Sequence, residues 1–88
     1  MEEDVKKKTA VALEYEKGDK APRITASGHG YVAEKIIETA KRENVPLHKD
    51  ERLAETLSGL TLGESIPEEL YSVVAEVLVM VDRAESKL

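Results

Sequence analysis

The sequence predicts a small α/β domain in which a mixed sheet of about three strands is surrounded by three helices. Three observations carry this prediction: an alternating apolar segment near the N-terminus, a strand–helix–strand unit at residues 23–47, and two more amphipathic helical segments after it. The helix of the central unit is apolar on one face only, so it needs a sheet to pack against. A chain of 88 residues suits a single compact domain.

The first element in chain order is a predicted strand at residues 9–15. Val11 and Leu13 share one face at period two, and the small Ala10 on the opposite face suits a packed helix. The Gly, Asp and Pro residues of segment 16–22 are turn formers. We therefore expect the first two strands to form a hairpin with a long loop.

The central unit is predicted to consist of a strand at 23–26, a helix at 31–43 and a third strand at 45–47. Asn44 is suited to end the helix because Asn tolerates the left-handed conformation. Pro46 lacks a backbone donor, which favours an edge position for the third strand. A right-handed connection would make that strand parallel to the second one.

The glycine-rich stretch Gly28-His29-Gly30 lies in a predicted loop at 27–30. Glycine there permits positive φ or a close approach of the backbone. The stretch lacks both the G-x-G-x-x-G spacing and a G-K-[ST] sequence, so it is weak support for anion binding. His29 and His48 are expected to be surface residues, since no helical His spacing supports a metal site.

Two further helices complete the prediction. Asp50 is a suitable N-cap for the second helix. Ser65 and Glu68 have the spacing of a capping box, which predicts that the third helix begins near them and runs over 67–83.

The third helix is apolar on more than one side. Val79 and Met80 fall outside its main apolar stripe. Such a helix is either deeply buried or offers a second face to a partner, and for a domain of this size burial is the favoured interpretation.

The composition excludes several kinds of site and partner. The chain has no cysteine, which excludes disulfides and thiolate metal sites. Its 13 basic and 18 acidic residues give a formal net charge of -5, which argues against non-specific nucleic-acid binding as the main task. No run of residues matches a membrane span or a signal peptide.

No reaction centre is visible in the sequence. A cysteine nucleophile and a G-x-S-x-G elbow are both missing, and the carboxylates are spread over the solvent faces of predicted helices. The residues therefore favour a protein that is not an enzyme and that uses no cofactor or metal.

An ordered series of short motifs resembles a known family. The motifs in this sequence are Ala10-Val11-Ala12-Leu13-x-Tyr15, Ala21-Pro22-x-Ile24-x-Ala26-x-Gly28, Ala33-x-x-Ile36-x-x-x-Ala40, Val45-Pro46-Leu47, Leu53-Ala54-x-x-Leu57 and Ile66-Pro67-x-x-Leu70-Tyr71-x-x-Val74-Ala75-x-Val77-Leu78. Together they resemble the cytoplasmic domain of FlhB and its YscU-like relatives, which are components of the flagellar and type III secretion export apparatus. The resemblance implies a small sheet surrounded by helices and a cytoplasmic role in recognising secretion substrates and switching between their classes.

The sequence departs from that family in one catalytic feature. Family members carry an Asn-Pro-Thr-His motif at which the backbone cleaves itself by asparagine cyclisation. The corresponding positions here are Val5-Lys6-Lys7-Lys8, so neither self-cleavage nor a catalytic residue is carried over. The chain also shows no N-terminal membrane domain, and it resembles a stand-alone form of the fragment that remains after cleavage.

The resemblance leads to two functional hypotheses. In the first, a domain at 10–83, between flexible tails at 1–9 and 84–88, docks at the export gate and pairs its first strand with the membrane half of a full-length FlhB. In the second, the chain is a free cytoplasmic adaptor for export substrates or chaperones. The residues expected to bind partners are Ala10, Val11, Ala12, Leu13, Val79 and Met80.

Overall fold

The structure is a computed structural model that describes the backbone of residues 8–86 and the side chains of residues 8–80. Its elements in chain order are β1 (Thr9–Glu14), β2 (Arg23–His29), α1 (Tyr31–Arg42), α2 (Glu51–Ser58), a 3₁₀ turn (Glu68–Leu70) and α3 (Tyr71–Ser86). The predicted α/β class is confirmed. Of the predicted tails, residues 1–7, 87 and 88 lie outside the described residues.

The two strands form the predicted antiparallel hairpin. Ala12 lies opposite Ala26 and Leu13 lies opposite Ile24, so Thr25 is an extra residue on β2 and forms a β-bulge. Because of the bulge, Ile24 rather than Thr25 is the cross-strand neighbour of Leu13. Both apolar side chains therefore contribute to the same core.

One face of the hairpin is covered by α1. Ala33 of this helix is completely buried, and Ala10 of β1 is almost so. Gly28 makes the close approach possible, because a Cβ atom at this position would lie 2.2 Å from the Cγ1 atom of Val32. Small residues on this side of the sheet thus allow α1 to pack directly on the backbone.

The main core lies on the opposite face, under α2 and α3. Its buried members come from the β1–β2 loop, β2, α2, the segment before the 3₁₀ turn and α3: Ala21, Ile24, Leu57, Ile66 and Val74. Val11, Leu13, Leu53, Leu60, Leu70 and Leu78 pack against them. The hairpin therefore separates a thin layer of small residues from a thicker layer of branched ones.

The predicted third strand is wrong: within residues 8–86 the sheet has two strands. Val45 and Leu47 are about half exposed, and Val45 N–H donates to Ala40 O at 2.8 Å in a bond that closes the end of α1. A parallel strand would need the free edge of β2, but this edge is already bonded at Ile24. The Ile24 N–H donates to Glu64 O at 3.0 Å, and the Ile24 C=O accepts from Gly63 N–H at 2.7 Å. A later segment of the chain has taken the place of the expected strand.

The predicted loop at 27–30 is also wrong, because β2 continues to His29. Gly28 pairs with Ala10, and Gly30 N–H donates to Lys8 O at 2.9 Å, which extends the ladder by one more residue. Only Gly30, with a φ of 60°, makes the turn into α1. The close approach of the backbone predicted for this stretch is confirmed at Gly28.

Two of the three predicted helix signals are confirmed. Asp50 accepts a bond from Leu53 N–H at 3.1 Å, and Asn44 has a φ of 59°. The prediction of a capping box is wrong. No side chain caps the 3₁₀ turn, which begins at Glu68. Ser65 is instead the bridge partner of Arg23, three residues before the turn starts.

Candidate functional site

The described surface carries an apolar groove between the β1–β2 loop and α3. It is called the α3 groove here and is lined by Tyr15, Lys20, Ala21, Pro22, Tyr71, Ala75, Leu78 and Val79. Its two sides come from segments about 50 residues apart in the chain, so only the folded domain forms it.

The α3 side of the groove follows from helical spacing. Tyr71, Ala75 and Leu78 recur at i, i+4 and i+7 and so lie along one flank of the helix. The loop side is fixed by a backbone bond from Ile66 N–H to Pro22 O at 3.0 Å. This bond ties the end of the β1–β2 loop to the segment that leads into α3.

The chemistry of the groove is that of an apolar binding site with a polar rim. Lys20 alone is charged among the residues that line it, and Tyr15 and Tyr71 contribute hydroxyl groups. A shallower depression beside it is lined by Ala75, Glu76, Val79 and Met80. The lining residues of the groove include no carboxylate, histidine or serine that could act as a base or nucleophile, so the arrangement suits binding of an apolar side chain.

The predicted partner-binding residues fall into two groups. Val79 lines the α3 groove and Met80 the neighbouring depression, and each is 49% exposed. The favoured interpretation of α3 as fully buried is therefore wrong at these two positions. In contrast, Ala10 is buried, and the other three residues of the β1 set (Val11, Ala12 and Leu13) are partly buried.

What β1 offers to a partner is its outer edge rather than its side chains. Lys8 O accepts from Gly30 N–H, so the backbone groups of alternate residues from Lys8 onward face β2. By the same alternation, the N–H and C=O groups of Thr9 and Val11 point away from β2. No backbone bond from the described residues reaches this outer edge of β1.

A small polar cluster joins α2 to the open end of the hairpin. The Thr9 hydroxyl donates to Glu55 Oε1, and His29 Nε2 lies 3.7 Å from the same oxygen. The side chains of His29 and Glu55 are both more than half exposed, and neither lines the groove. The cluster therefore links α2 to the hairpin and lies outside the α3 groove.

Sequence reasoning missed most of the groove. Tyr71, Ala75 and Leu78 were visible as one helical flank, but the same spacing is typical of a core stripe. Ala21 and Pro22 looked like the end of a turn. Nothing in the local pattern brings these two segments together.

Metal clusters and membrane-spanning helices are both absent from the described residues. The described residues contain no group of three or more His, Asp or Glu side chains that could hold a metal ion. None of the helices they form is long and apolar enough to cross a membrane.

Comparison with known proteins gives consistent matches over nearly the whole chain. The model of the FlhB HrpN YscU SpaS family matches residues 7–81. The YlqH protein of Bacillus subtilis (strain 168) is 42% identical over 89 residues, which cover 100% of this chain and 96% of that protein. The flagellar biosynthetic protein FlhB of Aquifex aeolicus (strain VF5) is 36% identical over 74 residues, and that of Escherichia coli (strain K12) is 40% identical over 74 residues.

The match to the FlhB proteins involves only a part of them. It covers 82% of this chain but 21% of the Aquifex aeolicus protein and 19% of the Escherichia coli protein. The chain thus spans about a fifth of the length of these relatives.

Solved structures show the same fold. A mutated EscU/SpaS C-terminal domain superimposes with a TM-score of 0.81 at 26% identity, covering 85% of this chain and 95% of that one. The PscU C-terminal domain gives a TM-score of 0.77 at 26% identity and covers 82% and 94% of the two chains. The chain therefore belongs to the FlhB/HrpN/YscU/SpaS family and has the fold of its C-terminal domains.

Proposed function

We propose that this chain is a non-catalytic component of flagellar or type III protein export, which docks at the export gate and helps to recognise secretion substrates or to switch between them. The observation that carries the proposal is the α3 groove, an open apolar site on a domain of this family. The chain would act in the cytoplasm, peripheral to the membrane-embedded gate.

The apolar lining of the groove suits a short apolar segment of an unfolded substrate. Burying one large aliphatic or aromatic side chain there would contribute about 1.5–3 kcal/mol. An unfolded segment must also lose conformational freedom when it binds, which makes the complex weak and short-lived. Weak binding is what a recognition step requires if the substrate is then to be passed on.

Docking at the gate is assigned to the outer edge of β1. Thr9 and Val11 offer backbone donors and acceptors that have no partner among the described residues. An extended segment of the membrane half of a full-length FlhB could add to the hairpin there as a third strand. The main-chain bonds would hold the domain at the gate while the groove, on the α3 side, remains accessible.

A second candidate function is that of a free adaptor, which binds export substrates or chaperones without joining the gate. The exposure of Val79 and Met80 favours it, since a partner in solution could cover both. The two functions share the α3 groove and differ in whether the edge of β1 is used.

A motility assay tests the proposal and separates these alternatives. A motile bacterium would carry an FlhB truncated to its membrane half, and this chain would be expressed separately. Restored swimming supports docking at the gate. If swimming is not restored although the protein is folded in the cells, docking is refuted and the adaptor function is favoured.

Paired variants test each surface. Val79→Glu places a charge in the groove and is expected to reduce swimming. Val45→Glu, at a position that is 52% exposed and outside α3, is the matched control.

Thr9→Pro removes one outward backbone donor of β1, and Thr9→Val removes only the side-chain hydroxyl. The docking model requires that Thr9→Pro weakens complementation and Thr9→Val does not. Equal effects of the two would assign the defect to the lost bond with Glu55.

A further inference from the structure

The outer edge of β1 has the features of a strand that pairs with another strand. The backbone groups of Thr9 and Val11 point away from β2, and by the same alternation so do those of Leu13. Between these residues the strand contains no proline, glycine or charged residue. Such residues, or a bulge, protect a free edge from pairing with another chain. The bulge of this hairpin lies on β2 and leaves β1 regular.

The two charged residues that flank this neutral stretch have opposite signs. Lys8 precedes the stretch and Glu14 ends β1, and both residues are exposed. Each lies three positions from Val11, which is at the centre of the stretch. If a two-fold axis passes through Val11 and relates two antiparallel β1 strands, Lys8 of each copy lies opposite Glu14 of the other.

The same register also pairs the free backbone groups. With the axis at Val11, this residue lies opposite its own copy, and Thr9 of each strand lies opposite Leu13 of the other. All of these residues point their N–H and C=O groups outward, so each donor meets an acceptor. A shift by one residue would bring outward groups opposite inward ones, and a shift by two would separate Lys8 from Glu14. A parallel pair in register would place identical charges side by side.

We infer that this chain self-associates through β1, and that two copies form one antiparallel sheet across a two-fold axis at Val11, with two strands from each copy. A second copy is the occupant because a strand with opposite charges at equal distances from its centre is complementary to itself. The inference does not rest on the proposed function. It adds a competition, since two copies paired through β1 leave no free edge for a segment of the gate.

The length of β1 sets the strength of the association. The strand has 6 residues and at about 3.3 Å per residue is about 20 Å long. An edge contact of this length covers less than the roughly 800 Å² per partner of a standard stable interface. The dimer is therefore weak and reversible, with a dissociation constant above about 1 µM.

Sedimentation equilibrium of the full chain from about 10 µM to about 1 mM measures this association. The weight-average mass is expected to rise from 9.7 kDa towards twice that value as the concentration increases. The rise should be smaller at high ionic strength, because the charge pairs at the ends of the strands are exposed. A mass that stays at 9.7 kDa over the whole range overturns the inference.

A charge swap tests the register. Lys8→Glu and Glu14→Lys each place like charges opposite one another at both ends of the interface, and each is expected to weaken association at least about fivefold. The double variant restores opposite charges and is expected to return to within about threefold of the original constant. An equimolar mixture of the two single variants should associate as the double variant does, since each supplies the charges that the other lacks. A double variant no better than the single ones refutes the register.

Two controls separate the interface from effects within one copy. Lys8 Nζ lies 3.7 Å from Glu34 Oε1 of α1, and Glu34→Gln removes this ion pair without changing the strand. Lys41→Glu makes an equal change of charge in the last turn of α1. Both variants are expected to associate like the original protein, and circular dichroism checks that each variant retains the fold.

Hydrogen exchange followed by NMR locates the contact. The amide protons of Thr9, Val11 and Leu13 should exchange more slowly at about 1 mM than at about 0.1 mM, whereas that of Ala10, which faces β2, should be unchanged. Association without added protection of these outward amides would place the interface elsewhere and refute pairing through β1.

Failure of this inference and failure of the proposed function give different results. A chain that restores swimming but stays monomeric refutes self-association and leaves docking at the gate supported. A chain that pairs through β1 but does not restore swimming refutes docking and leaves self-association supported. Val79→Glu, in the α3 groove, is expected to reduce complementation of motility without altering the association.

Discussion

Gly28→Ala tests the close packing of α1 on the hairpin. A Cβ atom at position 28 would lie 2.2 Å from Val32 Cγ1 and 2.8 Å from Val32 Cβ. Rotation of the Val32 side chain can relieve the first contact but not the second, because Val32 Cβ is fixed by the backbone of α1. The first turn of the helix must therefore move away from the sheet.

The expected cost follows from two opposing effects. Overpacking of this kind costs about 1–3 kcal/mol. Alanine is itself more favourable than glycine inside a strand by roughly 0.5–1 kcal/mol, which offsets part of that cost. We expect a net loss of about 1–2 kcal/mol in the free energy of unfolding, and for a domain of this size a fall in Tm of about 5–15 °C.

Urea unfolding followed by circular dichroism measures the effect, and a second substitution identifies its cause. Val32 is 56% exposed, so Val32→Ala alone should cost well under about 1 kcal/mol. In the Gly28→Ala background the same change removes the Cγ1 atom that makes the shorter contact. The double variant should therefore be more stable than the sum of the two single effects predicts. A Gly28→Ala protein as stable as the original, or strictly additive effects, would refute the steric explanation.

Three further predictions concern single positions in the fold. Asp50→Ala should lower the free energy of unfolding by about 1 kcal/mol, because Leu53 N–H loses its 3.1 Å partner, while Asp50→Asn should be close to neutral in the same urea titration. Asn44→Val should cost about 1–2 kcal/mol and Asn44→Gly much less, since the φ of 59° suits glycine, and the difference should appear in thermal melts. Ile24→Ala, at a completely buried site, should cost about 2–5 kcal/mol, whereas Val45→Ala should change the midpoint of unfolding very little.

The parts of the fold that the sequence predicted are those specified by neighbouring residues. The period-two alternation from Thr9 onward defines β1, and the turn formers after it define a hairpin. Asn44 and Asp50 mark the end of α1 and the start of α2 through bonds and dihedral angles that involve only the next few residues. Signals of this kind do not depend on the rest of the molecule.

The errors have a common physical origin in distant segments of the chain. Val45 and Leu47 have the composition of a strand, but a strand needs a free edge, and Gly63 and Glu64 bond to β2 at Ile24. The same segment, held by its bridge to Arg23, prevents the capping box from forming. Competition between two candidates for one sheet edge is decided by tertiary packing.

The candidate site was predictable only in part. Val79 and Met80 were identified because they break the apolar stripe of α3, and both are exposed. The prediction treated them as one pair, although adjacent helical residues point about 100° apart. Val79 faces the groove with Ala75 and Leu78, whereas Met80 continues the line of Val73 and Val77.

The backbone bonds between Ile24 and residues 63–64 also bear on how the domain folds. The hairpin and α1 are built from contacts between neighbours in the chain and can form early, at little cost in loop closure. The bonds at Ile24 join residues roughly 40 positions apart, so the chain must first close that large loop before the core under α2 and α3 is complete. Pairing of 63–66 with β2 is thus the step expected to limit the folding rate. Substitutions within this segment should slow refolding more than equally destabilising changes on the exposed face of α1.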